Sequence, residues 1–135
     1  MSIEIDHLGI AVRSLDAALQ FYGGVLGMEI SGRETIETER VHVAMLPAGT
    51  ATGAPRIELI EPSDESSTIA KFIDTRGPGL HHLALRVDDL LGAAKRLQDA
   101  GARLLNEPRP GAGGHTYVFI HPASTGGVLL ELIQK

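Results

Sequence analysis

The two halves of this chain repeat one pattern, and an internal repeat constrains a fold more than any single motif does. Residues 6–12 match residues 81–87, both short strand-like segments that begin with an acidic or histidine residue and alternate toward a valine. In this match His7 corresponds to His82. The repeat therefore predicts two related modules, each of which carries one histidine on its first strand.

A second pair of matching segments adds a carboxylate to each half. Residues 56–61 match residues 129–134, and Glu58 then corresponds to Glu131. Imidazole nitrogen and carboxylate oxygen are good ligands for divalent metals. Two histidines and two glutamates related by a repeat therefore predict one four-ligand metal site. Taken singly, each of these residues is equally well explained as the solvent-facing side chain of a half-exposed strand; the matched set of four favours the metal site.

Hydrophobic spacing predicts the same element order in both halves, a βαβββ module. The first module covers about 4–62, the second about 80–135, and a connecting helix covers about 64–76 between them. We predict strands at 4–12, 28–33, 40–47, 55–61, 81–87, 102–106, 116–121 and 127–133. One helix is predicted to begin after Ser14 and another after Asp88 or Asp89. Gly23, Gly24 and Gly27 are predicted to end the first helix. The predicted fold is α+β: a single domain, residues 1–135, in which both modules form a curved mixed sheet around the metal site.

Composition limits the classes of protein to consider. A hydrophobic fraction of 43% and a charged fraction of 21% in 135 residues are typical of one soluble globular domain. Cysteine is absent, which excludes disulfides and thiolate metal sites. A net charge of −5 argues against a nucleic-acid partner. No apolar run is long enough to span a membrane, and the acidic start is unlike a signal peptide, so we expect a cytoplasmic protein.

With these segments in place, the chain resembles the vicinal oxygen chelate superfamily of glyoxalases, bleomycin-resistance proteins and ring-cleaving dioxygenases. Within that superfamily it is similar to the methylmalonyl-CoA epimerase family. This similarity lies in residues 57–62 with 67–72, in residues 79–84, and in residues 107–114 with 121–122 and 126–132. The resemblance implies an acyl-CoA substrate, a homodimer and a divalent metal, with Co(II) favoured and Mn, Ni or Zn as alternatives.

The activity that the resemblance implies is a 1,1-proton transfer. It interconverts the 2R and 2S forms of methylmalonyl-CoA through an enolate, and inversion of the carbon needs an acid/base group on each side. Some epimerases carry an extra, non-ligand Glu on the strand that matches residues 40–46, but this chain has Val43 there. We therefore expect Glu131 and Glu58 to serve as the two bases as well as metal ligands.

Three other functions are compatible with the superfamily. Glyoxalase I also combines two His and two Glu with a proton shift. A ring-cleaving dioxygenase typically keeps two His and one Glu, so a fourth ligand at Glu58 argues against it. A non-catalytic small-molecule-binding protein usually lacks the metal ligands and lines its cleft with aromatic residues, which make up 4% of this chain.

Several other polar residues receive weaker predictions. We expect His81 to pack on the face opposite to His82, and His115 and His121 to make surface or hydrogen-bonding contacts. The segment 108–114, which contains Arg109, is either a mobile turn or a cover over the site. Lys71 and Arg76 are candidates for phosphate contacts, although exposed charges on a helix need no such role.

Overall fold

Strands and helices alternate along the chain in an α+β arrangement. The computed structural model describes residues 2–111 and 114–135. The strands of this described part are β1 (Ile3–Ala11), β2 (Gly32–Ile36), β3 (Val41–Pro47), β4 (Arg56–Pro62), β5 (Gly79–Val87), β6 (Arg109–Pro110), β7 (Thr116–Ile120) and β8 (Leu130–Gln134). The helices are α1 (Leu15–Leu19), continued by a π-helical segment (Gln20–Val25), α2 (Thr68–Arg76), α3 (Leu90–Asp99) and a 3-10 turn (Pro122–Ser124).

The chain divides into two compact units. The first unit is Leu8–His81, and the second unit combines the N-terminal residues through His7 with His82–Lys135. Strands β1 and β5 thus contribute residues to both units. The pairs β3–β4 and β7–β8 are antiparallel and the pair β5–β8 is parallel, which confirms the predicted mixed sheet.

In the first unit the strand order is β2-β3-β4-β1, and the alternation of β3 gives this sheet two apolar faces. Val41 and Val43 belong to a cluster that includes residues of α2, whereas Ala44 and Leu46 belong to a cluster that includes residues of α1. The helices α1 and α2 therefore cover opposite faces of the same strands. This is why β3 is apolar at nearly every position rather than at every second one.

In the second unit the strand order is β1-β5-β8-β7-β6, and α3 packs on one face. The apolar contacts are made by Val87, Leu90, Ala93, Val118, Ile120 and Leu132. On β8, Leu132 points into this cluster, so its neighbour Glu131 points to the other face of the strand. One face of the sheet is thus reserved for the core and the other is free for polar side chains.

Two of the helix starts agree with the sequence-based predictions. The side chains of Ser14 and Asp89 accept hydrogen bonds from the backbone N–H groups of Ala17 and Gly92, at 3.1 and 3.0 Å. Ser67 caps α2 in the same way, so the connecting helix begins at Thr68 rather than at residue 64. Side-chain capping satisfies the backbone N–H groups that a helix leaves unpaired in its first turn.

The prediction that Gly23 and Gly24 end the first helix is wrong. Both lie inside the π-helical segment, and the chain turns away at Gly27, whose φ is +78°. The following strand is also displaced. It was predicted at 28–33, but β2 begins at Gly32, because Met28 is still tied to the helix end through its N–H and the carbonyl of Tyr22.

The predicted strand at 102–106 is not formed as a continuous strand. Leu104 makes an isolated bridge to Ile120. The N–H of Phe119, one residue before Ile120, is bonded to a side chain, because Asn106 Oδ1 accepts it at 2.8 Å. The side-chain acceptor replaces a backbone carbonyl and interrupts the ladder. The regular edge strand is instead the two-residue β6.

Among the described residues, no helix combines the length and the apolar character that crossing a bilayer would require.

Candidate metal centre

Three of the four predicted ligands lie together in the second unit. His7 is on β1, His82 on β5 and Glu131 on β8. The two Nε2 atoms of the histidines are 3.0 Å apart, and Glu131 Oε1 lies 3.5 Å from His7 Nε2 and 3.6 Å from His82 Nε2. Three strands that are distant in sequence thus bring one donor atom each to a common point.

The spacing of these atoms fits a single metal ion. Donor atoms that each sit about 2.1 Å from one ion are separated by roughly 3.0 Å in octahedral and 3.4 Å in tetrahedral geometry. All three side chains are largely buried, with 6% of His7, 9% of His82 and 9% of Glu131 exposed. A buried carboxylate beside two imidazoles is costly without a cation or proton to balance it. The donor set therefore suits a divalent metal.

The strand register places one small residue and one aromatic residue next to the cluster. Glu131 lies opposite Ala84 on β5 and opposite Phe119 on β7. Ala84 is a small residue two positions after His82, so both lie on the same face of β5. On the other side, the Phe119 ring meets the His82 ring edge-on, with 6.0 Å between centroids. The cluster therefore has a small side chain beside it on β5 and an aromatic side chain beside it on β7.

Behind His7 lies a buried carboxylate that sequence reasoning did not include in the site. Asp6 is 1% exposed, and its Oδ2 is 2.7 Å from His7 Nδ1. Its Oδ1 accepts from Lys135 Nζ at 2.8 Å and from the Arg86 guanidinium at 3.2 Å. Strand alternation places Asp6 and His7 on opposite faces, so the pattern predicted no contact between them. The signal available in the sequence was that an aspartate, Asp6, directly precedes the predicted ligand His7.

The protonation of Asp6 follows from these partners. Burial acts to raise the pKa of Asp6, but hydrogen bonds from His7 and Lys135, together with the charge of Lys135, outweigh burial and hold the pKa well below its usual range. Asp6 is therefore a carboxylate at neutral pH.

The fourth predicted ligand belongs to the first unit. Glu58 is half-buried on β4, where it lies opposite Met45 of β3. Its neighbour Leu59 is fully buried in the cluster against α1, so Glu58 points to the other face of the strand. That Glu58 completes the ligand set stays a prediction.

Val43 is the residue that the resemblance aligns with a further glutamate of some epimerases. It is 2% exposed and packs with the aliphatic residues of β4 and α2. Its neighbour His42 turns to Thr35, whose Oγ1 is 2.8 Å from His42 Nδ1, beside a cavity of about 310 Å³. This position of the chain is therefore part of the apolar core and supplies no proton-transfer group.

The other histidines named from the sequence pack against neighbours, form hydrogen bonds or are partly buried. The rings of His81 and Phe72 pack edge-on, with 4.8 Å between centroids, which confirms the packing role predicted for His81. Burial lowers the pKa of His81. His121 Nδ1 accepts the N–H of Ala123 and caps the 3-10 turn, so its hydrogen-bonding role is also confirmed. His115 is half-buried.

The predicted glycine-rich segment 108–114 is described only in part, since residues 112 and 113 lie outside the described residues. At its start, Arg109 Nε donates to Tyr117 Oη at 3.0 Å, and the guanidinium lies over the Tyr117 ring. On α2, Lys71 and Arg76 are exposed. These two residues remain candidates for phosphate contacts by prediction alone.

Comparison with known proteins assigns the family. Residues 6–119 match the model of the Glyoxalase/Bleomycin resistance protein/Dioxygenase superfamily, and the chain belongs to this superfamily. It is 40% identical over 131 residues to the uncharacterized protein YqjC of Bacillus subtilis, which covers 96% of this chain and 91% of that protein. It is 37% identical over 133 residues to the ethylmalonyl-CoA/methylmalonyl-CoA epimerase of Cereibacter sphaeroides, with 96% of both chains covered.

A solved structure agrees with this assignment. A methylmalonyl-CoA epimerase in complex with methylmalonyl-CoA and NH4+ superimposes with a TM-score of 0.91 at 37% identity, covering 100% of this chain and 96% of that one. The similarity confirms the predicted α+β fold of the vicinal oxygen chelate type. The relatives also confirm the prediction that this chain is an enzyme of the isomerase class.

Proposed function

We propose that this chain is a methylmalonyl-CoA epimerase that depends on a divalent metal. The observation that carries the proposal is the convergence of His7, His82 and Glu131 at 3.0–3.6 Å in a chain that is 37% identical to a named epimerase over nearly its whole length. A divalent metal held by these residues would supply a Lewis acid for the thioester carbonyl and the neighbouring carboxylate of the substrate.

The residues of the chain then divide the remaining work. We assign Glu131 and Glu58 as the two groups that remove and return the proton on C2, each from its own side of the carbon. Val43 cannot take part, because its side chain is aliphatic and lies in the core. Glu131 is largely buried and has Ala84 and Phe119 opposite it on the two neighbouring strands.

The metal ligands in the proposal are His7, Glu58, His82 and Glu131. Four protein ligands of this kind would hold the ion and would still allow it to bind a bidentate substrate. Co(II) is the ion we favour, with Mn, Ni and Zn as alternatives, because His and Glu ligands alone do not separate these ions. A homodimer and a cytoplasmic location complete the proposal. Sedimentation analysis of the metal-loaded protein tests the dimer.

Deuterium exchange tests the reaction itself. Methylmalonyl-CoA of each configuration is incubated in D₂O with protein reconstituted with Co(II) and with chelated protein, and exchange at C2 is followed by NMR. Metal-dependent exchange and loss of optical purity support the epimerase. A parallel assay uses the methylglyoxal–glutathione hemithioacetal. Turnover of the hemithioacetal without exchange on the CoA ester would replace this proposal with glyoxalase I.

The assignment of two bases is tested with Glu58→Gln. We expect exchange of one stereoisomer to fall at least tenfold more than exchange of the other, because each base serves one face of the carbon. Glu65→Gln is the matched control, since Glu65 is an exposed glutamate ahead of α2. Equal and small effects of Glu58→Gln on both isomers would contradict the assignment.

A further inference from the structure

Asp6 is a buried carboxylate that the proposed reaction does not use directly. It is 1% exposed, yet it has charged or polar partners on both of its oxygens. Burial of an ionised carboxylate is unfavourable unless hydrogen bonds and opposite charges replace water. Burying the Asp6 carboxylate therefore requires these partners, and their identity indicates the role of Asp6.

The two oxygens of Asp6 have different partners. Oδ2 lies 2.7 Å from His7 Nδ1. Oδ1 accepts from Lys135 Nζ at 2.8 Å and from Arg86 at 3.2 Å, and Arg86 is itself paired with Glu4 at 3.2 Å. The two cations anchor the carboxylate from one side, so that Oδ2 is held toward His7.

This contact determines which nitrogen of His7 carries the proton. A carboxylate oxygen accepts and does not donate, so the 2.7 Å contact requires a hydrogen on Nδ1. In the neutral ring, the proton is then on Nδ1 and the lone pair is on Nε2. Nε2 is the atom that lies 3.0 Å from His82 and 3.5 Å from Glu131. The proton is thus kept on the side of the ring that faces away from the cluster.

We propose that Asp6 is a positioning residue: it fixes His7 as the Nδ1–H tautomer and aims Nε2 at the metal, while Lys135 and Arg86 hold Asp6 in place. The inference rests on the proposed metal site but not on the proposed substrate. A carboxylate that accepts the second N–H of a ligating histidine fixes the orientation of the ring and raises its basicity.

The tautomer of His7 gives a test that needs no metal. In chelated, ¹⁵N-labelled wild-type protein, long-range ¹H–¹⁵N correlation at neutral pH is expected to show His7 protonated on Nδ1. The 3.0 Å approach of the two Nε2 atoms then places the intervening proton on His82, whose ring should appear as the Nε2–H tautomer. His7 protonated on Nε2 alone would overturn the proposal.

Metal affinity provides the second test. Competition against a chromophoric chelator at pH 7 measures binding of Co(II) and Zn(II) to wild type and Asp6→Asn. We expect Asp6→Asn to bind metal about 10- to 100-fold more weakly. The matched control is Glu4→Gln, which removes the exposed end of the same network without touching Asp6 or His7 and should bind as wild type does. Wild-type affinity in Asp6→Asn would overturn the proposal.

Two further measurements separate the role of Asp6 from misfolding of a variant and from failure of the proposed substrate. Lys135→Met removes one cation bound to Asp6 and leaves Arg86 in place, so it is the variant to use if Asp6→Asn does not fold. We expect Lys135→Met to lower metal affinity several-fold. An unchanged affinity would contradict the role of Lys135. Metal binding by wild type without exchange of methylmalonyl-CoA would contradict the proposed substrate and leave the role of Asp6 intact.

Discussion

Ala84 and Glu131 lie directly opposite each other in the parallel pair β5–β8, and Ala84 is fully buried. Ala84 also shares a face of β5 with His82, two residues earlier. The small side chain therefore lies beside His82 and Glu131, two of the proposed ligands. A larger residue at this position would crowd these two side chains without altering either of them.

Ala84→Leu should both destabilise the protein and weaken metal binding. Over-packing a buried site costs about 1–3 kcal/mol, because neighbouring side chains must move. Urea unfolding measures the stability, and calorimetric titration with Co(II) measures the affinity. Ala123→Leu, at an exposed position of the 3-10 turn, is the control and should leave both unchanged. Wild-type metal affinity in Ala84→Leu would show that the metal lies elsewhere.

Metal binding should raise the melting temperature through mass action. A ligand that binds only the folded state at a free concentration 100 times its Kd stabilises it by about 2.7 kcal/mol. Thermal unfolding with Co(II) and with chelator measures this difference. The difference should vanish in His7→Ala, which removes a proposed ligand, and persist in His121→Ala, which removes a cap of the 3-10 turn. A full shift in His7→Ala would contradict the ligand assignment.

The start of α1 is held by a residue of a distant strand. Glu61 Oε2 accepts the N–H of Leu15 at 2.6 Å, and a negative charge at a helix N-terminus is favourable. Glu61→Ala should lower the free energy of unfolding by about 1–2 kcal/mol, comparable to loss of a helix cap. Urea unfolding measures it, with Glu65→Ala as an exposed control. Equal midpoints for the two variants would refute the capping role.

Stability should fall in mild acid because of His81. Its pKa is lowered by burial in the folded state, whereas in the unfolded chain it keeps its ordinary value of about 6.5. Between these two values the unfolded state binds more protons, so stability is full above about pH 6.5 and declines as pH falls below it.

The comparison that isolates this effect is wild type against His81→Phe, which keeps a ring against Phe72 but does not titrate. Urea midpoints are measured between pH 7.5 and 5.5 with chelator present, so that metal release does not contribute. The wild-type midpoint should fall more steeply than that of the variant. Parallel profiles would show that His81 is not responsible.

The repeat in the sequence predicted the strands that carry the candidate site. His7, His82 and Glu131 lie on β1, β5 and β8 as expected, because strand periodicity and the matched segments are local signals. The helix caps Ser14 and Asp89 were predictable for the same reason.

What the sequence did not predict depends on contacts between distant residues. The loss of the strand at 102–106 follows from Asn106, whose side chain replaces a backbone partner of Phe119. The burial of Asp6 depends on Lys135 and Arg86, which are far from it in sequence. No periodicity records such pairings, since they are decided by tertiary structure.

The separation of His7 and His82 along the chain has a consequence for folding. They are 75 residues apart, yet their Nε2 atoms meet at 3.0 Å. An ion bound by both would join chain segments that far apart in the folded state, and because it is released on unfolding, its stabilising effect depends on the concentration of free ion. Such an ion would resemble a disulfide in a chain that contains no cysteine, with the difference that a chelator opens it.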